Sequence, residues 1–188
     1  MAQEVEIKFQ IAGLRALTRA LKRAGFQQIT RSTHEINVLY DLPGQKLRKQ
    51  GQLLRLRKFG EQWVLTHKSK SKAGRHKVRV ELETRVENGE RMDTILHALG
   101  YTPTFRYEKY RAEWNDGTGQ VVLDQTPIGN FGEIEGAARW IDRTARALGI
   151  SSADYITQTY AELFFGWKRK TRSQAAEMTF RAVGGRKP

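Results

Sequence analysis

From Glu4 to Gln10 charged and apolar residues alternate. Glu4, Glu6 and Lys8 fall on one side, Val5 and Ile7 on the other, which is the two-residue period of a strand. The period returns at His34–Tyr40 and at Leu53–Phe59, where Arg55 and Arg57 oppose Leu54 and Leu56. It continues at Gln62–Lys68 and at Lys77–Thr84, where Arg79, Glu81 and Glu83 oppose Val80 and Leu82. Phe105–Trp114 puts Tyr107, Lys109, Arg111 and Glu113 on one face; Gln120–Asp124 and Phe131–Gly136 follow, the last with Glu133 and Glu135 flanking Ile134. Gly60 and Asn115-Asp116-Gly117 supply tight returns between neighbours. Three stretches switch to the helical period: Leu14, Leu17, Leu21 and Ala24; Met92–Leu99; and Ile141, Ala145 and Leu148 within Ala137–Leu148. Each stops at a glycine, Gly25, Gly100 or Gly149. Ser151 or Ser152 caps a further short helix, and a helical segment runs to Phe165. From Lys168 to Pro188 the chain is basic and lacks hydrophobic patterning, so a flexible tail is expected there, with residues 1–167 as the folded domain.

Nearly every strand has one charged and one apolar face, and two folds satisfy that pattern. A flat sheet with helices on its apolar side would turn the charged faces to water. A closed or nearly closed antiparallel barrel would turn them inward, with helices covering its apolar outside. Burying so much charge then requires mutual neutralisation or a charged ligand. The expected fold is this α+β barrel with flanking helices. The 188 residues suffice for one such domain.

Lys and Arg number 33 against 20 Asp and Glu, and a net charge of +13 calls for an anionic partner. Nucleic acid, an anionic surface or a small phosphate ester would each serve. The absence of cysteine excludes disulfides and thiolate chemistry. His34 and His67 have no ligand pattern around them. No apolar run approaches the length of a transmembrane helix and no secretory segment opens the chain, so no membrane role and a cytoplasmic location are expected.

Carboxylates side by side repel unless something positive lies between them. Glu4 with Glu6, and Glu133 with Glu135, each make such a pair on one strand face. A polyphosphate ligand accounts for both signs of charge. Arginine forks and lysine ammonium groups match phosphate oxygens, while carboxylates hold a hard divalent cation that bridges to them. The glycine-rich phosphate loop of nucleotide-binding proteins is not found.

Taken in order, these residues resemble the CYTH superfamily, the triphosphate tunnel metalloenzymes, which includes class IV adenylyl cyclases, thiamine triphosphatases and inorganic triphosphatases. Glu4-Val5-Glu6-Ile7-Lys8 is similar to the family's N-terminal Glu-x-Glu-x-Lys, and Leu54-Arg55-Leu56-Arg57 to its leucine-arginine alternation. Val64–Lys68, Arg79 with Glu81 and Glu83, Lys109 with Arg111, Asp124, Glu133 with Glu135, and Thr159-Tyr160 continue the likeness over residues 3 to 165. The resemblance implies an eight-stranded antiparallel tunnel. It implies that Lys8, Arg55, Arg57, Lys68, Arg79, Lys109 and Arg111 bind a triphosphate. It places Glu4, Glu6, Asp124, Glu133 and Glu135 on Mg²⁺ or Mn²⁺. Glu81, Lys68 and Arg79 are expected in catalysis, with Glu81, on the cavity face beside Arg79, orienting the attacking water. Two departures leave the organic part of the substrate open: Ser69-Lys70 stands where many relatives have Gly-Pro, and the basic tail lies outside the common domain. With no adenine-reading motif in the chain, hydrolysis of inorganic, thiamine or nucleoside triphosphate is expected. Cyclisation of ATP to cyclic AMP and pyrophosphate is the alternative. Nucleic-acid binding is a second alternative, opposed by the carboxylates that interleave with the basic strands; only the tail is expected to touch nucleic acid, without specificity. A homodimer stays open.

Overall fold

Each alternating stretch becomes a strand, and the strands close on themselves. The computed structural model describes residues 2–72, 74–185 and 187–188. Its strands are β1 (Ala2–Gln10), β2 (Gln27–Asp41), β3 (Leu53–Phe59), β4 (Gln62–Lys68), β5 (Lys77–Val86), β6 (Thr102–Asn115), β7 (Gln120–Thr126) and β8 (Gly129–Glu135). Their order round the barrel is β1-β5-β4-β3-β2-β6-β7-β8, with antiparallel neighbours throughout. β1 pairs with both β5 and β8, which excludes the flat sheet. The helices are α1 (Leu14–Arg23), α2 (Lys46–Lys49), α3 (Gly89–Ala98), α4 (Ala138–Ala147), α5 (Tyr160–Thr171) and α6 (Phe180–Val183). Among the described residues no helix is long and apolar enough to cross a membrane.

Register decides which side chains meet. Across β1 and β8, Glu6 faces Glu135 and Lys8 faces Glu133; across β1 and β5, Glu4 faces Arg79 and Glu6 faces Lys77. The alternate residues point outward. Ile7, Phe9, Val121, Leu123 and Ile134 pack beneath α1 and α4 through Leu17, Leu21, Trp140, Ile141 and Ala145. Each fully buried Leu or Ile there contributes ~1.5–3 kcal/mol. Gly132 sits opposite Phe9, whose ring lies so close that a Cβ at this position would come within 2.2 Å of it. Elsewhere Leu96 of α3 packs on Tyr40 and Leu56, and Phe164 of α5 packs on Phe105 and Phe131.

Three local features depart from the periodic reading. β2 begins at Gln27, earlier than expected, because its register shifts between Gln28 and Thr33 break the alternation. α5 starts in a capping box, in which Thr159 Oγ1 accepts from Glu162 N–H and Glu162 accepts from Thr159 N–H, and it continues to Thr171. The expected flexible tail is also corrected. Met178 N–H donates to Arg106 O (3.1 Å) and Met178 O accepts from Glu108 N–H (3.0 Å), along the part of β6 that precedes its pairing with β7. Phe180 N–H donates to Glu108 Oε1 at 2.6 Å, and Ala175, Met178 and Phe180 are buried. Three isolated apolar residues carry no period, yet they suffice because the barrel already presents an unpaired edge and an apolar wall.

Candidate active site

The inward faces enclose a cavity of about 660 Å³. Lys8, Arg55, Arg57, Lys68, Arg79, Lys109 and Arg111 all line it, as do Glu4, Glu6, Glu81, Glu133 and Glu135. Asp124 lies just beneath and is fully buried. It accepts from Lys109 Nζ (2.9 Å), Arg111 Nε (2.7 Å) and Tyr160 Oη (2.5 Å). Tyr160 opens α5, and its ring centroid lies 4.6 Å from Lys8 Nζ and 4.8 Å from Lys109 Nζ.

The two signs of charge are interleaved. Lys68 Nζ stands 2.7 Å from both Glu4 and Glu81, and Arg79 Nε donates to Glu4 at 2.9 Å. Glu133 takes Lys8 on one oxygen and Arg111 on the other, each at 2.5 Å. Arg57 Nη2 reaches Glu83 at 3.2 Å. Burial penalises each of these charges, and the partners reverse the penalty. Lys8 and Arg111 hold the Glu133 carboxyl well below its ordinary range, and Glu133 and Glu6 raise the Lys8 ammonium. Lys77 is the opposite case: burial lowers it despite Glu6 at 3.1 Å.

Two inward-facing positions of the candidate site carried a signal that was not drawn out of the sequence. Lys77 heads β5 in phase with Arg79 and lines the cavity. Glu35 shares the inward phase of β2 with Asn37, and both are completely buried. Glu35 lies 3.3 Å from Lys109, 3.9 Å from Arg57 and 4.0 Å from Arg111, and accepts from Asn37 Nδ2 at 2.9 Å. Burial alone would raise its carboxyl, but Lys109, Arg111 and Arg57 bring it down to about 2.

Four buried polar atoms of this network lack a hydrogen-bond partner among the described residues: Glu35 Oε2, Asn37 Oδ1, Arg55 Nε and Arg57 Nε. Two orphaned guanidinium N–H groups on one strand are donors ready for an anion. The carboxylate edge shows the complementary deficit. Glu135 stands at the rim of the cavity, its carboxylate partly shielded from water by the charged wall, and has no ion-pair partner among the described residues. Lost solvation, with the charges of Glu4 and Glu6, pushes it up to about 7. Like charges directly opposed across an antiparallel pair are unfavourable, and Glu6 and Glu135 are so opposed. No three carboxylate or histidine groups among the described residues already converge as a metal shell, because Lys and Arg hold the other carboxylates. In donor chemistry and register, Glu4, Glu6 and Glu135 nonetheless fit a hard divalent cation.

Comparison with known proteins agrees with this architecture. A protein of Methanocaldococcus jannaschii, provisionally named an adenylate cyclase, is 26% identical over 171 residues, 85% of this chain and 97% of the relative. A Vibrio parahaemolyticus structure, provisionally named an adenylate cyclase, superposes with a TM-score of 0.78 at 22% identity, covering 86% of this chain and 97% of that one. A protein from Hippeastrum, described as an adenylyl cyclase candidate with a dominant triphosphatase activity, superposes with a TM-score of 0.65 at 17% identity over 87% of this chain and 95% of its own. The CYTH domain profile matches residues 2–160. With its closed tunnel of eight strands and its inward rows of paired charge, the chain belongs to the CYTH domain family of triphosphate tunnel proteins.

Proposed function

We propose that this protein is a divalent-metal-dependent phosphohydrolase of a small triphosphate. The observation that carries the reading is the charge balance of the tunnel. Among the described residues eight Lys and Arg line it against seven Glu, with Glu35 and Asp124 directly beneath. Such a tunnel is close to neutral, and a triphosphate brings several negative charges into it. Orphaned donors on Arg55 and Arg57 invite the anion, while the repelled carboxylates at Glu6 and Glu135 invite a cation alongside it.

In this reading Arg55, Arg57, Lys109 and Arg111 bind phosphate oxygens, and Lys8 balances Glu133 beneath them. Lys68 and Arg79 flank Glu4 and meet the terminal phosphoryl group. Glu4, Glu6 and Glu135 hold Mg²⁺ or Mn²⁺, with Glu133 and Asp124 orienting the bases around them. When bound, the cation neutralises charge on the phosphate oxygens. Glu81 accepts a proton from the attacking water as its oxygen bonds to the terminal phosphorus. The bridging oxygen departs with the electron pair, leaving orthophosphate and the shortened phosphate chain. The fixed cations stabilise charge on the equatorial oxygens without reorganising.

One observation favours a second reading. A cavity of about 490 Å³ shares Leu53, Lys77, Arg79 and Thr159 with the tunnel and is lined by Phe105 and Phe165. Such a space admits a base and ribose, and the Methanocaldococcus jannaschii relative is provisionally named an adenylate cyclase. Cyclisation of ATP is therefore the competing reaction. The test is to incubate the protein, with Mg²⁺ or Mn²⁺, with inorganic triphosphate, thiamine triphosphate and ATP separately, and to identify the products. Orthophosphate without cyclic nucleotide supports hydrolysis. Cyclic AMP with equimolar pyrophosphate establishes the second reading, and no product from any of the three defeats both.

A further inference from the structure

The net charge of +13 is not in the tunnel. Of 33 Lys and Arg, eight line the cavity, and of 20 Asp and Glu, nine line it or lie directly beneath it. Among the described residues the positive surplus therefore sits on the outside of the barrel, away from the carboxylate rows of the tunnel.

Part of that surplus is concentrated on one side. α1 contains no acidic residue, and its exposed side chains include Arg15, Arg19, Lys22 and Arg23. α4 exposes Arg139, Arg143 and Arg146; its one acidic residue, Asp142, is held by Arg75 (2.5 Å) and His76 (2.9 Å). None of the seven cations takes part in an ion pair among the described residues. The two helices lie over the same outer wall of the barrel, because Leu17 and Leu21 share one core with Trp140, Ile141 and Ala145. Phe26, just after α1, is 6.1 Å from the Trp140 ring of α4. By contrast, α3 mixes Glu90, Arg91 and Asp93.

We propose that the α1–α4 face docks the phosphate backbone of duplex DNA. Arg15, Arg19 and Arg23 recur every four residues, ~6 Å apart along the helix axis, so they form a ridge that can follow successive phosphates. Arg139 and Arg143 repeat that spacing on the second helix. Exposed small residues on the same two helices include Ala16, Ala138 and Ala147, which leave room for a phosphate backbone. Among the described residues the exposed large apolar side chains are Ile29, Leu82, Ile95, Leu99 and Phe165, none of them on α1 or α4. The face thus lacks the apolar wedge that a bilayer-binding helix inserts and the aromatic platform that stacks unpaired bases. What remains is point charge at regular spacing, which suits a duplex read without sequence. The inference stands apart from the chemistry of the tunnel.

The experiment measures binding of the full chain to a short fluorescent duplex DNA of arbitrary sequence, by anisotropy, between 50 and 200 mM salt. Engagement of about five phosphates predicts a log–log salt slope of about −4.5 and ~500-fold weaker binding at the higher salt. The triple variant Arg15→Glu, Arg19→Glu, Arg143→Glu should lose at least three of those contacts, cutting the slope by about 2.7, with triphosphate turnover and melting temperature unchanged. The proposal is overturned if the duplex does not bind at 50 mM salt, or if the triple variant binds like the parent. It is equally overturned if Lys168→Gln, Arg169→Gln, Lys170→Gln abolishes binding in place of the triple variant. Tighter binding to phosphatidylserine vesicles or to single-stranded DNA than to the duplex, at matched salt, would assign the face to that other partner.

Discussion

Replacing Glu35 by Gln isolates the electrostatics of the tunnel wall from its chemistry. The substitution keeps the shape and can keep the Asn37 contact, but removes the charge that Lys109, Arg57 and Arg111 surround. A carboxyl drawn from 4.5 to about 2 is bound more tightly in its ionised form by about 3 kcal/mol. Because the native value is depressed, that contribution is complete above about pH 4.5 and is lost as the pH falls towards 2. At pH 7 the variant should therefore unfold about 3 kcal/mol more easily, a fall of ~6–12 °C in melting temperature for a chain of this size. By pH 3 the gap between parent and variant should shrink to less than half. Urea unfolding followed by circular dichroism at pH 7, 4 and 3 measures both quantities. A variant as stable as the parent at pH 7, or a gap that does not close with acid, would refute the assignment of Glu35 as the buried counter-ion.

Other outcomes follow from the same structure. Glu135→Gln removes a carboxylate that its neighbours repel, so without metal it should melt no lower than the parent at pH 8 while losing metal-dependent turnover; a marked drop in melting temperature would count against a repelled rim. Chelation of divalent cations by EDTA should abolish turnover, and added Mg²⁺ or Mn²⁺ should restore it; persistence in chelator contradicts the proposed role of Glu4 and Glu6. Gly132→Ala forces a Cβ against the Phe9 ring and should cost ~1–3 kcal/mol in denaturant unfolding. Met178→Ala should cost ~2–5 kcal/mol, whereas a loose tail would register nothing.

The barrel was legible because alternation is a local signal and every strand that lines the tunnel repeats it. Lys8, Arg55, Lys109 and Glu133 could be placed on inward faces from phase alone. Glu35 escaped because its strand carries one charge and an amide where the others carry rows of charge, so His34–Tyr40 reads as an ordinary half-buried strand. The start of β2 escaped because bulges destroy the period there. The C-terminal segment escaped for a different reason. Docking at Ala175, Met178 and Phe180 depends on an edge of β6 that exists only after the barrel has closed, and no window of sequence contains both. The sequence total of +13 likewise hides its distribution, which the closure of the tunnel makes visible.

The interleaved ion pairs also determine how the tunnel discriminates among anions. Before any ligand arrives, most of its ammonium and guanidinium groups already have carboxylate neighbours fixed to the same scaffold. An incoming phosphate must displace resident oxygens, as in an ion-exchange resin whose counter-ions cannot be washed away. A lone orthophosphate competes poorly, because each covalently tethered carboxylate acts at a high effective concentration. An anion with several linked phosphates exchanges at several stations at once and recovers at each what the first displacement loses. Chain length, more than charge density, then sets the threshold for occupancy, and under the proposed hydrolysis the product would leave once it had become too short to hold its place.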